Sequence, residues 1–519
     1  MSQRGSVNEN IIRNTRSNYV LIGIRMVLGL VTFRLLYTGL PQEEFGFWAF
    51  LWGVFGTSVI LDFGFGLTIQ KQVAQLSVKE KWDELSRVLT TLLTLYLGLA
   101  VLIIVGGWFA APIMVNRLDI SAENQAAFTT VLFWFLCGMG CSFPLGVLPE
   151  ILKGQQKIYT ANNLVIAGNV LSFILVVTAL QLNLGLKWIV ASAMGAILAP
   201  HIFAGIIGLR QLPEVTLHPR HFTPKLIAES LKFSVSAYLI LVSYMVLTKT
   251  DQIVIGAVAS MSAVAIYQPA AKIGEIFGFL TRQLANTLQP AAAHLHASGD
   301  QEGIKQLLIN GTRYSVMLAA PLYVFTAAFL EPILALLTGD NALSPDAVRS
   351  AHILVFWAFM FIITHNVYKR VAVMCGQEKR LVWVGVGEAV MNLFLSVTLL
   401  KLYGLVAGVA AATLISSLFF GWIFLWPWAA KIAQESVWRF AQQTLARNIL
   451  GSLPLALAVV AIPYLSGWSA QTSLLHFVVL AAVSGSIGLV GIWKISLTDS
   501  DRQFVLNKLS PITRRLKAS

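Results

Sequence analysis

At 519 residues, 56% hydrophobic and only 12% charged, the chain departs far from soluble globular proteins, in which about a quarter of residues are charged. Its repeated apolar runs of roughly 20 residues match the length a helix needs to cross a bilayer, which excludes a soluble enzyme and predicts an all-α polytopic membrane protein. A net charge of +13 would suggest a nucleic-acid partner for a soluble chain; here no nucleic acid is expected, and the charge reports orientation instead.

In chain order, the apolar runs predict about 14 transmembrane helices. They lie near residues 17–39, 45–70, 86–112, 125–150, 159–182, 186–208, 230–256, 260–290, 311–337, 348–371, 381–401, 404–426, 449–467 and 473–494. The first run, from Tyr19 to Leu40, is too long for a cleavable signal, carries Arg25 and Arg34, and lacks a small-x-small cleavage site. With the N-terminus inside, 28 of the 37 Lys and Arg fall in cytoplasmic segments. Only Arg117, Lys187, Arg349 and Lys401 fall in outer loops, and five lie inside spans. The positive-inside rule then puts both termini in the cytoplasm.

The chain also repeats itself. Phe45-Gly46-Phe47-Trp48 aligns with Val264-Ala265-Ile266-Tyr267, and at the same shift of 219 Ala74 and Leu76 match Ala293 and Leu295. Gly154-Gln155-Gln156-Lys157 recurs as Gly376-Gln377-Glu378-Lys379, a shift of 222. Two copies of six spans share one orientation, so their pseudo-twofold axis runs along the membrane normal, an arrangement transporters use to hold substrate between two lobes. The expected organisation is an N-lobe over 1–210, a cytoplasmic linker over 211–226, and a C-lobe over 227–430. Two extra C-terminal helices follow over 431–495, then a basic cytoplasmic tail over 496–519.

The stretch from Met245 to Ala293 is apolar in composition yet carries Lys249, Asp251, Lys272, Glu275 and Arg282. Each ionisable group inside a span costs about 2.5–3.5 kcal/mol on insertion scales, so such groups face a bundle interior or a water-filled cavity. On a helix, Gln268, Lys272, Glu275, Arg282, Asn286 and Gln289 fall within an arc of about 100°. Ile273, Phe277, Leu280 and Leu284 form the opposite, apolar face. A neutralising i,i+3 pair accounts for Lys272 and Glu275, but the longer stripe points to a lined chamber.

Other intramembrane polar residues extend the inventory. Arg25 and Arg34 lie on opposite faces of the first span; Arg25 is the deeper, whereas Arg34 is placed to snorkel outward. Asp62 sits at the end of an apolar run. Lys249 and Asp251 are two apart and do not face each other, so each pairs across helices. His365, Asn366, Glu388 and Asn392 add polarity to the second lobe, with Glu388 and Asn392 one turn apart on one face.

Inside the spans, Arg25, Lys249, Lys272 and Arg282 stand against Asp251, Glu275 and Glu388. A cation-biased cavity suits an anion, and guanidinium groups suit phosphates in particular. The substrate-site candidates are therefore Arg25, Lys249, Lys272, Arg282, Asn286 and Gln289. Asp251, Glu275 and Glu388 are the candidates for coupling to protons or sodium, and the same set serves as interhelical glue on the alternative reading. No phosphate-binding, zinc-protease or nucleophile-elbow motif occurs, the three cysteines form no metal or disulfide pattern, and no cofactor is expected.

Phe33-Arg34-Leu35-Leu36, Glu43 through Trp48 and Leu61-Asp62-Phe63-Gly64-Phe65-Gly66 together resemble the opening of Wzx-type polysaccharide flippases. So do Asp251-Gln252-Ile253-Val254-Ile255-Gly256, Ala265-Ile266-Tyr267-Gln268-Pro269-Ala270 and the Lys153-Gly154-Gln155 region. These proteins belong to the MOP (multidrug/oligosaccharidyl-lipid/polysaccharide) exporter superfamily. The resemblance implies two six-helix lobes working by alternating access in the bacterial inner membrane. It implies, as substrate, an undecaprenyl-diphosphate-linked oligosaccharide moved from the cytoplasmic to the periplasmic leaflet for surface polysaccharide such as O-antigen. A polysaccharide polymerase and a chain-length regulator are the implied partners, beside the lipid bilayer. On this reading Arg25, Lys272 and Arg282 attract the diphosphate, and Tyr267, Tyr244 and Trp383 either stack on sugars or pack. A lipid II flippase shares the cationic interior. A drug/cation antiporter of the superfamily calls for an acid-rich cavity, which this inventory lacks. A membrane glycosyltransferase calls for a supported acidic motif on an outer loop or a large periplasmic domain, and Asp340 and Asp346 sit in a short loop without supporting residues.

Overall fold

The computed structural model describes residues 2–58, 65–227, 235–286, 288–339, 343–468 and 473–507, and all regular structure among them is helical. The helices are α1 (Ser2–Gly39), α2 (Gln42–Ser58), α3 (Phe65–Val78), α4 (Trp82–Arg117), α5 (Gln125–Gly154) and α6 (Ile158–Gln181). Next come α7 (Leu186–Arg210), α8 (Val235–Lys249), α9 (Asp251–Val258), α10 (Met261–Asn286), α11 (Leu288–Ala297) and α12 (Gln301–Ala328). The last are α13 (Leu330–Thr338), α14 (Pro345–Met374), α15 (Glu378–Tyr403), α16 (Ala407–Ile432), α17 (Val437–Ser466) and α18 (Leu475–Ser496).

Ten helices among the described residues are long and apolar enough to cross a membrane, and two bent pairs, α8–α9 and α12–α13, bring the number to twelve. Two of the fourteen expected spans fall outside that set. Residues 45–70 include 59–64, and with them Asp62, which lie outside the described residues. Residues 260–290 correspond to α10, whose Lys272, Glu275 and Arg282 dilute its apolar character. The bend in α8–α9 is 50° and that in α12–α13 is 72°. Both breaks fall in the second copy of the repeat, whereas α1 and α4 run through unbroken.

The chain forms two compact units, Met1–Ile266 with Leu337–Gly339, and Tyr267–Leu336 with Asp340–Ser519. They divide at Ile266 rather than within 211–226, because α8 and α9 lie against α2 of the first unit. A Cβ on Gly53 of α2 would come 3.1 Å from Gln252 Cβ, so the absence of a side chain there permits that approach. The 211–226 stretch is itself fastened to α4, with Thr216 N–H donating to Ser86 Oγ (3.0 Å) and Thr223 N–H to Thr91 Oγ1 (3.0 Å).

Within the first unit, α4 packs on α5, α6 on α7, and α1 along α6. Buried Phe47 and Phe128 stack at 4.3 Å. The N-terminal part of α1 is tied to α6: Asn14 Oδ1 accepts from Tyr159 N–H (2.9 Å) and Asn162 donates to Ser17 Oγ (2.9 Å). The tightest approach joins α2 to the start of α10. A Cβ on Gly46 would run into the Met261 carbonyl oxygen, 2.6 Å from its carbon and 3.3 Å from Ala265 N. Gln42 beside it donates to the Ser262 carbonyl (3.3 Å). Gly46 and Ala265 are counterparts in the 219-residue repeat, so equivalent residues of the two copies touch here.

In the second unit, α12 packs against α14 and α17, and α15 against α16. Asp346, in the first turn of α14, caps the start of α16 by accepting from Val406 N–H (2.8 Å) and Ala407 N–H (3.0 Å). Three π-helical turns interrupt helices of this unit, at Ile362–Asn366, Gly421–Leu425 and Gln442–Ala446, and a fourth, Ile492–Ser496, ends α18. Such turns insert a residue into the helix and recur at functional sites. Past α18, Asp501 accepts from Arg313 Nη2 (3.0 Å), Tyr314 Oη (2.7 Å) and Thr498 N–H (2.9 Å). Burial disfavours its charged form, but the bonds from Thr498, Tyr314 and Arg313 outweigh that and hold its carboxyl below the usual carboxylate range.

Candidate functional site

The structure places the candidate residues in both units, and each set has its own local logic. Arg25, Lys249 and Asp251 belong to the first unit; Lys272, Glu275, Arg282, Asn286, Gln289 and Glu388 belong to the second.

Arg25 stands exposed on α1, within electrostatic reach of His201 on α7, as is Lys153 at the end of α5. Lys153 is paired with Glu150 at 2.6 Å. The imidazole Nδ1 of His201 is buried without a hydrogen-bond partner. Sequence reasoning identified Arg25 and passed over His201, because a lone histidine in an apolar run carries no spacing signal. Arg34 lies instead beside Gly339, in the loop after α13.

Lys249 and Asp251 flank the 50° break at Thr250, Lys249 as the last residue of α8 and Asp251 as the first of α9. A cation at a helix C-terminus and an anion at an N-terminus each oppose the charge of the helix end. These two charges therefore stabilise a broken span, a local role that their two-residue spacing did not suggest. The Lys249 stem lies over Gly56 of α2, its Cδ 3.3 Å from where a Cβ would stand. Asp251 is buried.

On α10 the polar stripe occupies the less buried side. Lys272 and Glu275 form the expected i,i+3 pair at 3.4 Å. The Arg282 guanidinium folds back over Gly278, its Nη1 2.8 Å from where a Cβ would stand. Ile273 and Phe277 are buried behind the stripe, but Leu280 is 41% exposed, so the apolar face is not packed along its whole length. Gln289 is half-buried on α11, while the Asn286 side chain lies outside the described residues. Tyr267 is wholly buried and belongs to the packing; Trp383, 79% exposed, is accessible.

Glu388 lies in a buried cluster in the second unit. Its Oε1 meets His365 Nε2 at 3.0 Å and accepts from Ser417 Oγ at 2.7 Å, and its Oε2 accepts from Lys369 Nζ at 3.4 Å. In the sequence His365 shows only as added polarity. Lys369, four residues on from His365, stands about one helical turn away and completes the cluster. Among the described residues no group of three or more His, Cys, Asp or Glu could hold a metal ion.

Comparison with known proteins places this architecture. The profile of a family described as polysaccharide biosynthesis protein matches residues 11–293, and one described as MatE matches residues 237–398. Among solved structures, the lipid II flippase MurJ in an inward closed conformation is similar over 92% of this chain and 98% of its own, with a TM-score of 0.71 at 14% identity. An inward-facing multidrug resistance MATE family transporter of the MOP superfamily is similar over 79% of this chain and 94% of its own (TM-score 0.67, 15% identity). A MOP superfamily transporter from Pyrococcus furiosus, described by the reverse polarity of its binding pocket, is similar over 84% and 96% (TM-score 0.58, 13% identity). No curated protein matches the chain. At these identities the structural likeness establishes a shared fold.

Proposed function

Because the chain belongs to the polysaccharide biosynthesis protein family and folds as a multi-pass membrane protein of the MOP transporter type, we propose that it is a flippase for diphosphate-linked oligosaccharide. Its substrate is an undecaprenyl-diphosphate-linked glycan, taken from the cytoplasmic leaflet of the bacterial inner membrane and delivered to the periplasmic leaflet by alternating access. The polymerase and chain-length regulator of surface polysaccharide assembly are its downstream partners. The observation that carries the reading is the cationic charge on α1 and α10: Arg25 and Arg282 offer guanidinium groups, and Lys272 adds an ammonium on the same face as Arg282. Bidentate donors of this kind match phosphate oxygens, and flipping calls for no covalent chemistry from the protein.

The candidates for contact with the substrate are Arg25 and Lys249 in the first unit and Lys272, Arg282, Asn286 and Gln289 in the second, each to be tested by itself. A hydrogen bond to a charged partner is worth about 1.5–3 kcal/mol, so removing one guanidinium should slow translocation by about tenfold or more. The test is a reconstituted leaflet-accessibility assay with defined diphosphate-linked glycans, with and without ion gradients. Arg25→Ala and Arg282→Ala should each insert normally and translocate slowly; full activity in Arg282→Ala removes that residue from the site. Substituting lipid II as cargo separates the second reading, favoured by the extent of the likeness to MurJ: preference for lipid II over other glycans replaces the first.

A further inference from the structure

Glu388 and His365 sit at the centre of a hydrogen-bonded chain with both ends fixed in direction. At one end Trp357 Nε1–H, which can only donate, reaches Ser417 Oγ (2.9 Å), and Ser417 in turn donates to Glu388 Oε1 (2.7 Å). At the other end the Met360 carbonyl, which can only accept, lies 3.0 Å from Thr364 Oγ1, and that oxygen lies 2.6 Å from His365 Nδ1. His365 Nε2 faces Glu388 Oε1 at 3.0 Å. A hydroxyl has one hydrogen. If Thr364 donates it to Met360, Nδ1 must carry a proton to complete its own contact, and the imidazole is doubly protonated. If Thr364 turns its hydrogen toward Nδ1, the ring is neutral and the Met360 carbonyl loses a donor. In both states Nε2–H donates to Glu388, so one proton is gained or lost at Nδ1 without breaking the central bond.

We propose that His365 is a reversible proton-binding site, held by the Glu388 carboxylate and reported to the helix through the Thr364 hydroxyl, and that translocation is coupled to its occupancy. The coupling half of this statement rests on the translocation reading; the proton site itself does not.

The surroundings suit the role. His365 and Glu388 are 0% and 1% exposed, respectively, where an unpaired charge would be costly and a paired one is retained. Thr364 and His365 lie in the π-helical turn of α14, facing the π-helical turn of α16. That contact exists because residue 421 is glycine: a Cβ there would stand 2.6 Å from Thr364 Oγ1 and 2.8 Å from His365 Cε1. The Met360 carbonyl is four residues before Thr364, so the hydroxyl's direction alters the bonding of the turn that leads into the π-helical segment. The other charged groups have separate attachments. Lys369, with its side chain 20% exposed, is the member of the cluster that reaches the surface. From α12, Arg313 and Tyr314 are bound to Asp501, and Tyr323 stacks on Phe359 at 4.8 Å. The facing α16 carries no ionisable residue except Lys431, near its far end. The Phe361 ring stacks on His365 at 4.2 Å.

Histidine ring nitrogens report this directly. Full-length protein with ¹⁵N-labelled histidine, in lipid, is titrated from about pH 5 to about pH 8.5 by NMR, with His365 assigned by its loss in His365→Gln. In the unsubstituted protein Nδ1 should titrate within that window while Nε2 stays protonated. Glu388→Gln should lower the midpoint by about one pH unit or more, because it removes the opposing charge. Lys369→Met, at a partly exposed position that spares folding, should raise it. A His365 ring that does not titrate, or a midpoint indifferent to Lys369→Met, overturns the proton site. The coupling is read in vesicles containing an undecaprenyl-diphosphate-linked glycan. Imposed pH gradients should change the translocation rate of the unsubstituted protein severalfold, and that response should shift with the Lys369→Met midpoint. A rate indifferent to pH overturns the coupling, whereas absence of any translocation overturns the flippase reading and leaves the NMR result to stand alone.

Discussion

Gly46→Ala tests the contact between α2 and the start of α10. The added methyl would be placed 2.6 Å from the Met261 carbonyl carbon and 3.3 Å from Ala265 N, where ordinary contact begins at 3.4 Å. The obstructing atoms are main chain, so no rotamer change relieves the clash, and the helices must separate by close to an ångström or more. Overpacking of this kind costs about 1–3 kcal/mol. Taking about 2 kcal/mol, the closed contact should be disfavoured about thirtyfold, at 1.36 kcal/mol per tenfold. The assay is crosslinking between cysteines placed at Gln42 and Ser262, whose groups already meet at 3.3 Å, in a background lacking Cys137, Cys141 and Cys375. Gly46→Ala should lower the crosslinked fraction strongly. Gly98→Ala, where nothing lies within 4 Å of the new Cβ, should leave it unchanged. Equal crosslinking in Gly46→Ala and its parent would refute the reasoning.

Other substitutions probe the second unit. Asp346→Ala should cost about 2 kcal/mol, because two helix-start N–H groups lose a charged acceptor; the thermal unfolding midpoint in detergent measures it, with Asp346→Asn losing less. An unchanged midpoint in the alanine variant would remove the capping role. The carboxyl of Asp501 is depressed in the folded state, so its stabilisation is complete above the unfolded value of about 3.9 and fades as pH falls through the lower folded value. Limited proteolysis should therefore find residues 497–507 protected at neutral pH and increasingly exposed below about pH 4. Asp501→Asn should show that exposure at neutral pH already, and protection equal to the unsubstituted protein would count against the bonding described.

The all-helical class, the α10 stripe and the internal repeat were legible because each rests on a local signal: run length, a 3.6-residue period, or a fixed shift along the chain. Lys272 and Glu275 pair as their spacing predicts. Features made by tertiary approach left no such mark. Lys369, Glu388 and Ser417 come from three different helices, and their meeting with His365 depends on Gly421 and on two facing π-helical turns that no periodicity announces. Lys249 and Asp251 also stand at a helix break that no spacing in the sequence announces, where each has a helix end to compensate. The same break carries α9 onto α2, which is why the compact units part at Ile266 and not at the proline-rich 211–226 stretch. Tyr267 could not be sorted from an accessible aromatic by sequence, since the burial of a single aromatic on a helix is set by its neighbours and not by pattern.

The meeting of Gly46 with Ala265 has an evolutionary consequence. Matching positions of two copies ordinarily drift apart freely, but here one of them faces main-chain atoms that every residue carries. No change of side chain in the other copy can make room, so residue 46 stays without a side chain whatever stands at residue 265. Hybrids that join the front half of one relative to the back half of another should therefore need glycine at this seam, whatever cargo either parent carries.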